Sequence, residues 1–273
     1  MNNYIQISFQ IATEEQKEIL IALLSYEGYD AFEETENVLS AFITEELFKE
    51  EVIKEILHPF AIEFQKEIIP PKNWNAEWKS NYEPVIVDGF VAVRAHFQKP
   101  ITTVLYDIVI TPKMSFGTGH HATTWQMMKL MQDFNFVNQT VFDFGSGTGI
   151  LAILAEKLGA ASVLALDYDD LCIENSTENI TINKCVNIIV SKGEVPPINQ
   201  QFNIILANIN CHILLLNMQA MSLALSKNDL LFISGFYAQE NPLLIDAAKV
   251  QGLQLIKTSE RHNWSSLIFQ KQN

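Results

Sequence analysis

Apolar and polar residues alternate from the start of the chain. Ile5, Ile7, Phe9 and Ile11 fall on one side of an extended segment and Gln6, Ser8 and Gln10 on the other, which is the period of a half-buried strand. Thr13 followed by Gln16 forms a capping box that opens a helix to about Glu27, with Ile19, Leu20, Leu23 and Leu24 as its apolar stripe and Gly28 as its stop. Residues 31–34 and 38–43 read as two short strands. Thr44 then caps a second helix through Leu47, Phe48, Val52, Ile53, Ile56 and Leu57, and 61–69 returns as a strand. The order βαββαβ is the ferredoxin-like arrangement, a small α+β unit of two layers.

Pro70, Pro71 and the stretch carrying Trp74 and Trp78 read as a linker, 70–84, containing a helical turn. After Pro84, apolar runs at 85–87 and 90–93 flank Asp88-Gly89, a strong hairpin signal, and 107–110 is a further strand. A glycine loop at 115–124 leads into a helix with Trp125, Met128, Leu130 and Met131 among its apolar positions. From residue 140 onward strands and helices alternate. Strands are expected at 140–144, 162–167, 187–190, 202–207, 229–234, 253–258 and 265–270, with helices at 150–158, 170–183, 211–225 and 239–251. This is a doubly wound α/β sheet, which binds ligands at the carboxyl ends of its strands. The stretch from 258 to 264 is too short for a crossover, so the last two strands form an antiparallel hairpin. Such a sheet resembles that of the class I methyltransferases. The expected division is a ferredoxin-like domain at 1–69, a linker at 70–84 and a catalytic α/β domain at 85–273.

The densest chemistry lies at 141–150, where a buried strand, a glycine turn and a helix start follow one another. Gly145, Gly147 and Gly149 permit a tight turn and close backbone approach to a ligand, and the following helix offers unpaired N–H groups. A dinucleotide fingerprint has the spacing Gly-x-Gly-x-x-Gly, whereas here Asp143 precedes three glycines at alternate positions. An acid in that place repels a pyrophosphate and suits a cofactor carrying a sulfonium and an ammonium group, as S-adenosylmethionine does. A nicotinamide site is the alternative. Asp167 ends the second strand and can accept both ribose hydroxyls of a nucleoside. It can also cap a helix, although Asp169 or Asp170 is better placed for that. Asn208 ends an apolar strand at the lip of the sheet, where its amide can accept a hydrogen bond from a substrate amine; a solvated turn is the plainer reading. Glu194, after the third strand, can approach an adenine or be an ordinary loop carboxylate. His120 and His121 are adjacent and lack a carboxylate or thiol at ligand spacing, so loop packing is expected of them and no metal site. No Gly-x-Ser-x-Gly motif accompanies the serines.

Composition narrows the setting. The chain has 273 residues, 48% of them hydrophobic, enough for a substantial core. No run approaches the roughly 20 apolar residues of a membrane span and the N-terminus lacks a signal-peptide pattern, so the cytoplasm is expected. Cys172, Cys185 and Cys211 are widely spaced, which points to neither disulfides nor a zinc site. The net charge of −14 is concentrated in residues 1–67, which hold 15 acids against 4 lysines. Direct nucleic-acid binding is therefore not expected, and a basic partner is compatible.

Taken together, these residues resemble the bacterial ribosomal protein L-eleven methyltransferases over nearly the whole chain. The family's loop Phe-Gly-Thr-Gly-x-His-x-Thr-Thr stands here as 116–124, its glycine motif as 143–149, its acidic strand end as Asp167 and its Ala-Asn-Ile segment as 207–209. Trp74, Trp78-Lys79 and Pro84 are similar to its linker, Ser234-Gly235 with Gln239 to the exit of its fifth strand, and Trp264 to its final hairpin. The resemblance implies that Thr124, Gly145, Asp167 and Asn208 contact S-adenosylmethionine. Asp143, Gly147 and Gly149 belong to the same cofactor set, and Asn208 also orients the substrate amine. It further implies N-methylation of lysine side chains and an α-amine of ribosomal protein L-eleven, recognised by the N-terminal domain, with the enzyme acting as a monomer away from membranes. Ala122 replaces a usual proline, Ser146 a frequent cysteine, and Asn210-Cys211 a usual Leu-Ala, so Asn210 bears on amine choice. The rival functions are a small-molecule amine N-methyltransferase, a nicotinamide oxidoreductase and a non-catalytic cofactor-binding protein.

Overall fold

The computed structural model describes residues 3–35, 37–70, 82–113, 117–197 and 199–272, and divides into two compact units, 1–81 and 82–273. Trp74, Trp78 and Lys79 of the expected linker, and Ser115 and Phe116 of the glycine loop, lie outside the described residues.

In the first unit, β1 (Tyr4–Gln10), α1 (Glu14–Tyr26), β2 (Ala31–Thr35), β3 (Val38–Thr44), α2 (Glu50–Leu57) and β4 (Gln65–Ile69) build an antiparallel sheet of order β2-β3-β1-β4. The alternation in β1 holds, with Ile5, Ile7 and Phe9 buried. Thr13 caps α1 by accepting the Gln16 N–H at 3.2 Å, while the Gln16 side chain reaches back to the Ala12 N–H at 2.7 Å. Only half of the expected α1 stripe reaches the core: Leu20 and Leu24 are buried, Ile19 and Leu23 stand exposed. Thr44 is no cap. It pairs with Tyr4 as the last residue of β3, a turn follows, and α2 begins only at Glu50. Ile53 and Leu57 then complete a core shared by both helices and the sheet.

The second unit opens with a small sheet of order β5-β6-β7, made of β5 (Val85–Val87), β6 (Val91–Arg94) and β7 (Tyr106–Val109). Asp88 and Gly89 turn the first pair with φ of 45° and 72°. The main sheet contains β8 (Thr140–Phe144), β9 (Ser162–Asp167), β10 (Ile188–Lys192), β11 (Phe202–Asn208), β12 (Leu225–Tyr237), β13 (Leu253–Arg261) and β14 (Trp264–Lys271). Its order is β10-β9-β8-β11-β12-β14-β13, parallel except for β14, which runs antiparallel between β12 and β13. The expected final hairpin is present, with His262 and Asn263 turning at φ of 51° and 65°. Strand β12 is longer than its apolar run, because Leu225 pairs with Phe202 beyond a register shift.

Both faces of this sheet are covered, which explains why its central strands read as continuous apolar runs. Val141, Ile204, Leu206 and Phe232 face a core with α3 (Ala122–Met131) and α4 (Ile150–Lys157). The intervening Phe142, Phe144, Ile205, Ala207 and Ile233 face the other core, with α6 (Cys211–Leu223) and α7 (Asn241–Val250). Helix α5 (Asp170–Ile182) packs beside β9 and β10. No helix among the described residues is long and apolar enough to cross a membrane.

Candidate active site

A cavity of about 750 Å³ opens at the carboxyl ends of β8, β9 and β11. Thr124, Gly145, Gly147, Asp167 and Asn208 all line it. Asp143 and Gly149 do not. The parity of β8 turns Asp143 toward α4, where the 1% exposed carboxylate accepts the Ala152 N–H at 3.1 Å. Burial pushes its pKa up to about 7, with the Ala152 bond lowering it and the nearby Asp167 charge adding to the rise. Gly149, at φ 77°, lets α5 pack close, since a Cβ there would stand 3.1 Å from Ser176 Cβ.

The glycine turn spends its N–H groups within the protein. Gly145 and Ser146 both donate to the Leu166 carbonyl, at 2.8 and 3.0 Å, and Gly147 donates to Asp167 Oδ2 at 2.8 Å. With Asp143 on Ala152, the start of α4 already carries two carboxylates. A pyrophosphate would compete with both for these N–H groups and meet the charge of Asp167, which disfavours the nicotinamide reading. Asp167 is not the helix cap; Asp169 accepts the Leu171 N–H at 2.9 Å and fills that role. Asp167 Oδ1 takes the Asp169 N–H at 3.1 Å, so each carboxylate oxygen holds one backbone donor and retains a lone pair for another.

Across the cavity, Thr124 sits in the first turn of α3 and accepts from Asn208 Nδ2 at 3.2 Å. That bond leaves Asn208 Oδ1 buried without a partner, and Ser146 Oγ is likewise unpartnered. Asn208 is held there by its neighbour. The Ile209 backbone crosses Gly235 so closely that a Cβ on Gly235, at φ 95°, would lie 2.3 Å from the Ile209 carbonyl oxygen. Asn210 lines the cavity, but its side-chain oxygen caps α6 on the Ile213 N–H at 3.1 Å. Glu194 lines the cavity from an exposed position.

His121 is more than loop packing. It caps α3 through Thr123, lines the cavity and meets Trp264 edge-on at 4.6 Å, while Tyr237 stacks on Trp264 at 4.1 Å. Burial lowers its pKa, which favours the neutral imidazole. Histidine is a rare cap, so the helix start gave no warning of this role. His120 bonds Thr118 and the Glu83 carbonyl. No cluster of metal-ligating side chains occurs among the described residues.

A seven-stranded sheet of this order, with a glycine turn and an acidic second strand at its ligand end, defines an S-adenosylmethionine-dependent methyltransferase of class I. The family model for ribosomal protein L11 methyltransferase (PrmA) matches residues 5–272, and the chain belongs to that family. A Porphyromonas gingivalis protein named ribosomal protein L11 methyltransferase is 38% identical over 268 residues, spanning 95% of this chain and 92% of its own. One of the same name from Phocaeicola vulgatus is 34% identical, over 97% and 98%. A crystal structure of ribosomal protein L11 methylase from Lactobacillus delbrueckii subsp. bulgaricus superposes with a TM-score of 0.65 at 27% identity, covering 70% of this chain and all of that one.

Proposed function

We propose that this enzyme methylates amino groups, lysine side chains and the α-amine, of ribosomal protein L11, in the cytoplasm and with S-adenosylmethionine as donor. The substrate is the one named in relatives that align over nearly the full chain, so a small-molecule amine is not favoured. The observation that carries the chemistry is that Asn208 lines the cavity and its buried Oδ1 has no hydrogen-bond partner.

When bound, S-adenosylmethionine supplies a methyl group activated by its sulfonium. The residues present fit it. Asp167 offers two remaining lone pairs to ribose hydroxyls, Gly145 and Gly147 let the backbone come close, and Phe144, Ile150 and Leu151 give an apolar wall. Asp143 and Gly149 support this arrangement from behind. Asn208 Oδ1 accepts an N–H of the substrate amine and fixes the direction of its lone pair, while Thr124 fixes Asn208. Lysine amines ionise at about 10.4 and α-amines at about 7.7 to 8.0, so attack needs the neutral form. Enclosure beside Trp264 desolvates the amine and lowers its pKa. Residues 1–69 serve as the recognition domain, joined through 70–84 to a catalytic domain at 85–273, and their acidity suits a basic ribosomal protein.

Calorimetric titration tests the donor: S-adenosylmethionine should bind with 1:1 stoichiometry and NAD should give no heat. Binding of NAD in place of S-adenosylmethionine would overturn the proposal.

A further inference from the structure

The two walls of the cavity come from distant parts of the chain. One is the glycine turn with Gly145, Ser146 and Gly147; the other is the loop entering α3 and the first turn of that helix, with Gly117, His121 and Thr124. Thr148 follows the glycine turn directly, is 0% exposed and does not line the cavity. Its hydroxyl donates to the Gly117 carbonyl at 2.7 Å. Its own carbonyl accepts from Asn179 Nδ2 at 2.9 Å, and Asn179 Oδ1 accepts the Thr111 N–H at 2.8 Å. Gly117 is thereby tied to Thr148 directly and Thr111 through Asn179.

Neighbouring residues support this tie. Asn175 and Asn179 on α5 and Asn183 at its C-cap recur every four residues and bond the same backbone stretch. Asn183 bonds both the N–H and the carbonyl of Val109, and Asn175 donates to the Thr111 carbonyl. Asparagine is a poor helix former, so the two inside α5 reflect what they hold rather than helix propensity. At Gly117, at φ 101°, a Cβ would stand 2.9 Å from Thr148 Oγ1, so any side chain would displace the hydroxyl.

We infer that Thr148 and Asn179 form a clamp that sets the separation of the two walls and act as positioning residues for methyl transfer. The inference rests on the donor reading above. Thr124 lies seven residues after Gly117 and holds Asn208, so the clamp determines where the amine acceptor stands relative to the glycine turn. Alignment errors on the scale of an ångström cost up to about a hundredfold in rate, whereas ground-state binding responds less.

The test compares Thr148→Val, which keeps the shape and removes the hydroxyl, with Thr148→Ser, which keeps the hydroxyl, and with Asn179→Ala. Calorimetry gives the S-adenosylmethionine Kd, steady-state assays give kcat, and hydrogen exchange without cofactor follows amides of 117–131. Thr148→Val should lower kcat at least about tenfold, raise Kd less, and speed exchange in that segment. Thr148→Ser should restore all three. Asn179→Ala should speed exchange in the same segment. Unchanged kcat and exchange in Thr148→Val, or equal impairment of the serine variant, would overturn the clamp. Failure of wild-type enzyme to bind S-adenosylmethionine would instead overturn the donor reading, and the exchange comparison would still decide the clamp.

Discussion

Asn208 and Asp143 show what a side chain's surroundings add to its identity. Asn208→Ala removes an acceptor that has no other partner, and should lower kcat by about 10² while leaving the cofactor Kd within a few-fold, as steady-state kinetics and calorimetry will measure. Asp143 is a matter of linkage. Its folded pKa of about 7 lies above the ordinary 3.8, so the folded chain keeps a proton that the unfolded chain releases between those values. Stability from this group is therefore fully present below 3.8 and is lost as pH rises to about 7. Asn at this position can still accept the Ala152 N–H, so Asp143→Asn should flatten the decline, gaining on wild type between about pH 4 and pH 7 in denaturant midpoints. That Asp167 is not the helix cap was legible because Asp169 could be assigned to that role. Asp143 was misplaced for a definite reason: glycine spacing locates a turn, while the parity of β8 decides which face the acid takes, and within β8 it is Phe142 and Phe144 that face the other core. His121 and Trp264 meet from positions 143 residues apart, a proximity that no local pattern contains.

At the level of elements, the strands and helices of the α/β unit were readable because buried parallel strands are apolar runs bounded by turns and helices. The boundaries that moved did so where pairing outruns pattern: β12 extends across Ser226 to Asp229, and β3 keeps Thr44, which a capping rule would assign to a helix. Glycine roles divide along the same lines. Gly235 is required by the Ile209 backbone, whereas a Cβ added at Gly252 would approach nothing closer than the Lys271 Nζ, at 3.6 Å. Both have positive φ, so Gly252→Ala bears backbone strain of about 1 kcal/mol, whereas Gly235→Ala adds a clash with main chain and should cost about 2 kcal/mol or more. Thermal unfolding of the two variants checks the contrast, and kcat should fall only for Gly235→Ala, because Asn208 adjoins the displaced segment.

On the scale of the whole molecule, the acidic unit and the methyltransferase unit each enclose a core of their own. A chain of residues 82–273 should therefore fold and bind S-adenosylmethionine, yet lose methylation of the ribosomal protein, as parallel calorimetry and assay will register. Methylation by the full chain should weaken as salt rises, since the excess of acids in 1–67 acts through screened charge. Two-domain organisation was visible in the βαββαβ order and the charge imbalance. The partner came from the family resemblance and not from a local motif of its own, because recognition of a protein leaves none comparable to a glycine turn; the relatives' names agree with it. The central claim is thus tested by incubating the enzyme with labelled S-adenosylmethionine and a mixture of ribosomal proteins, followed by mass spectrometry. Label on amino groups of L11 is the expected result. Its absence from L11, with folded enzyme and bound cofactor, would contradict the substrate assignment.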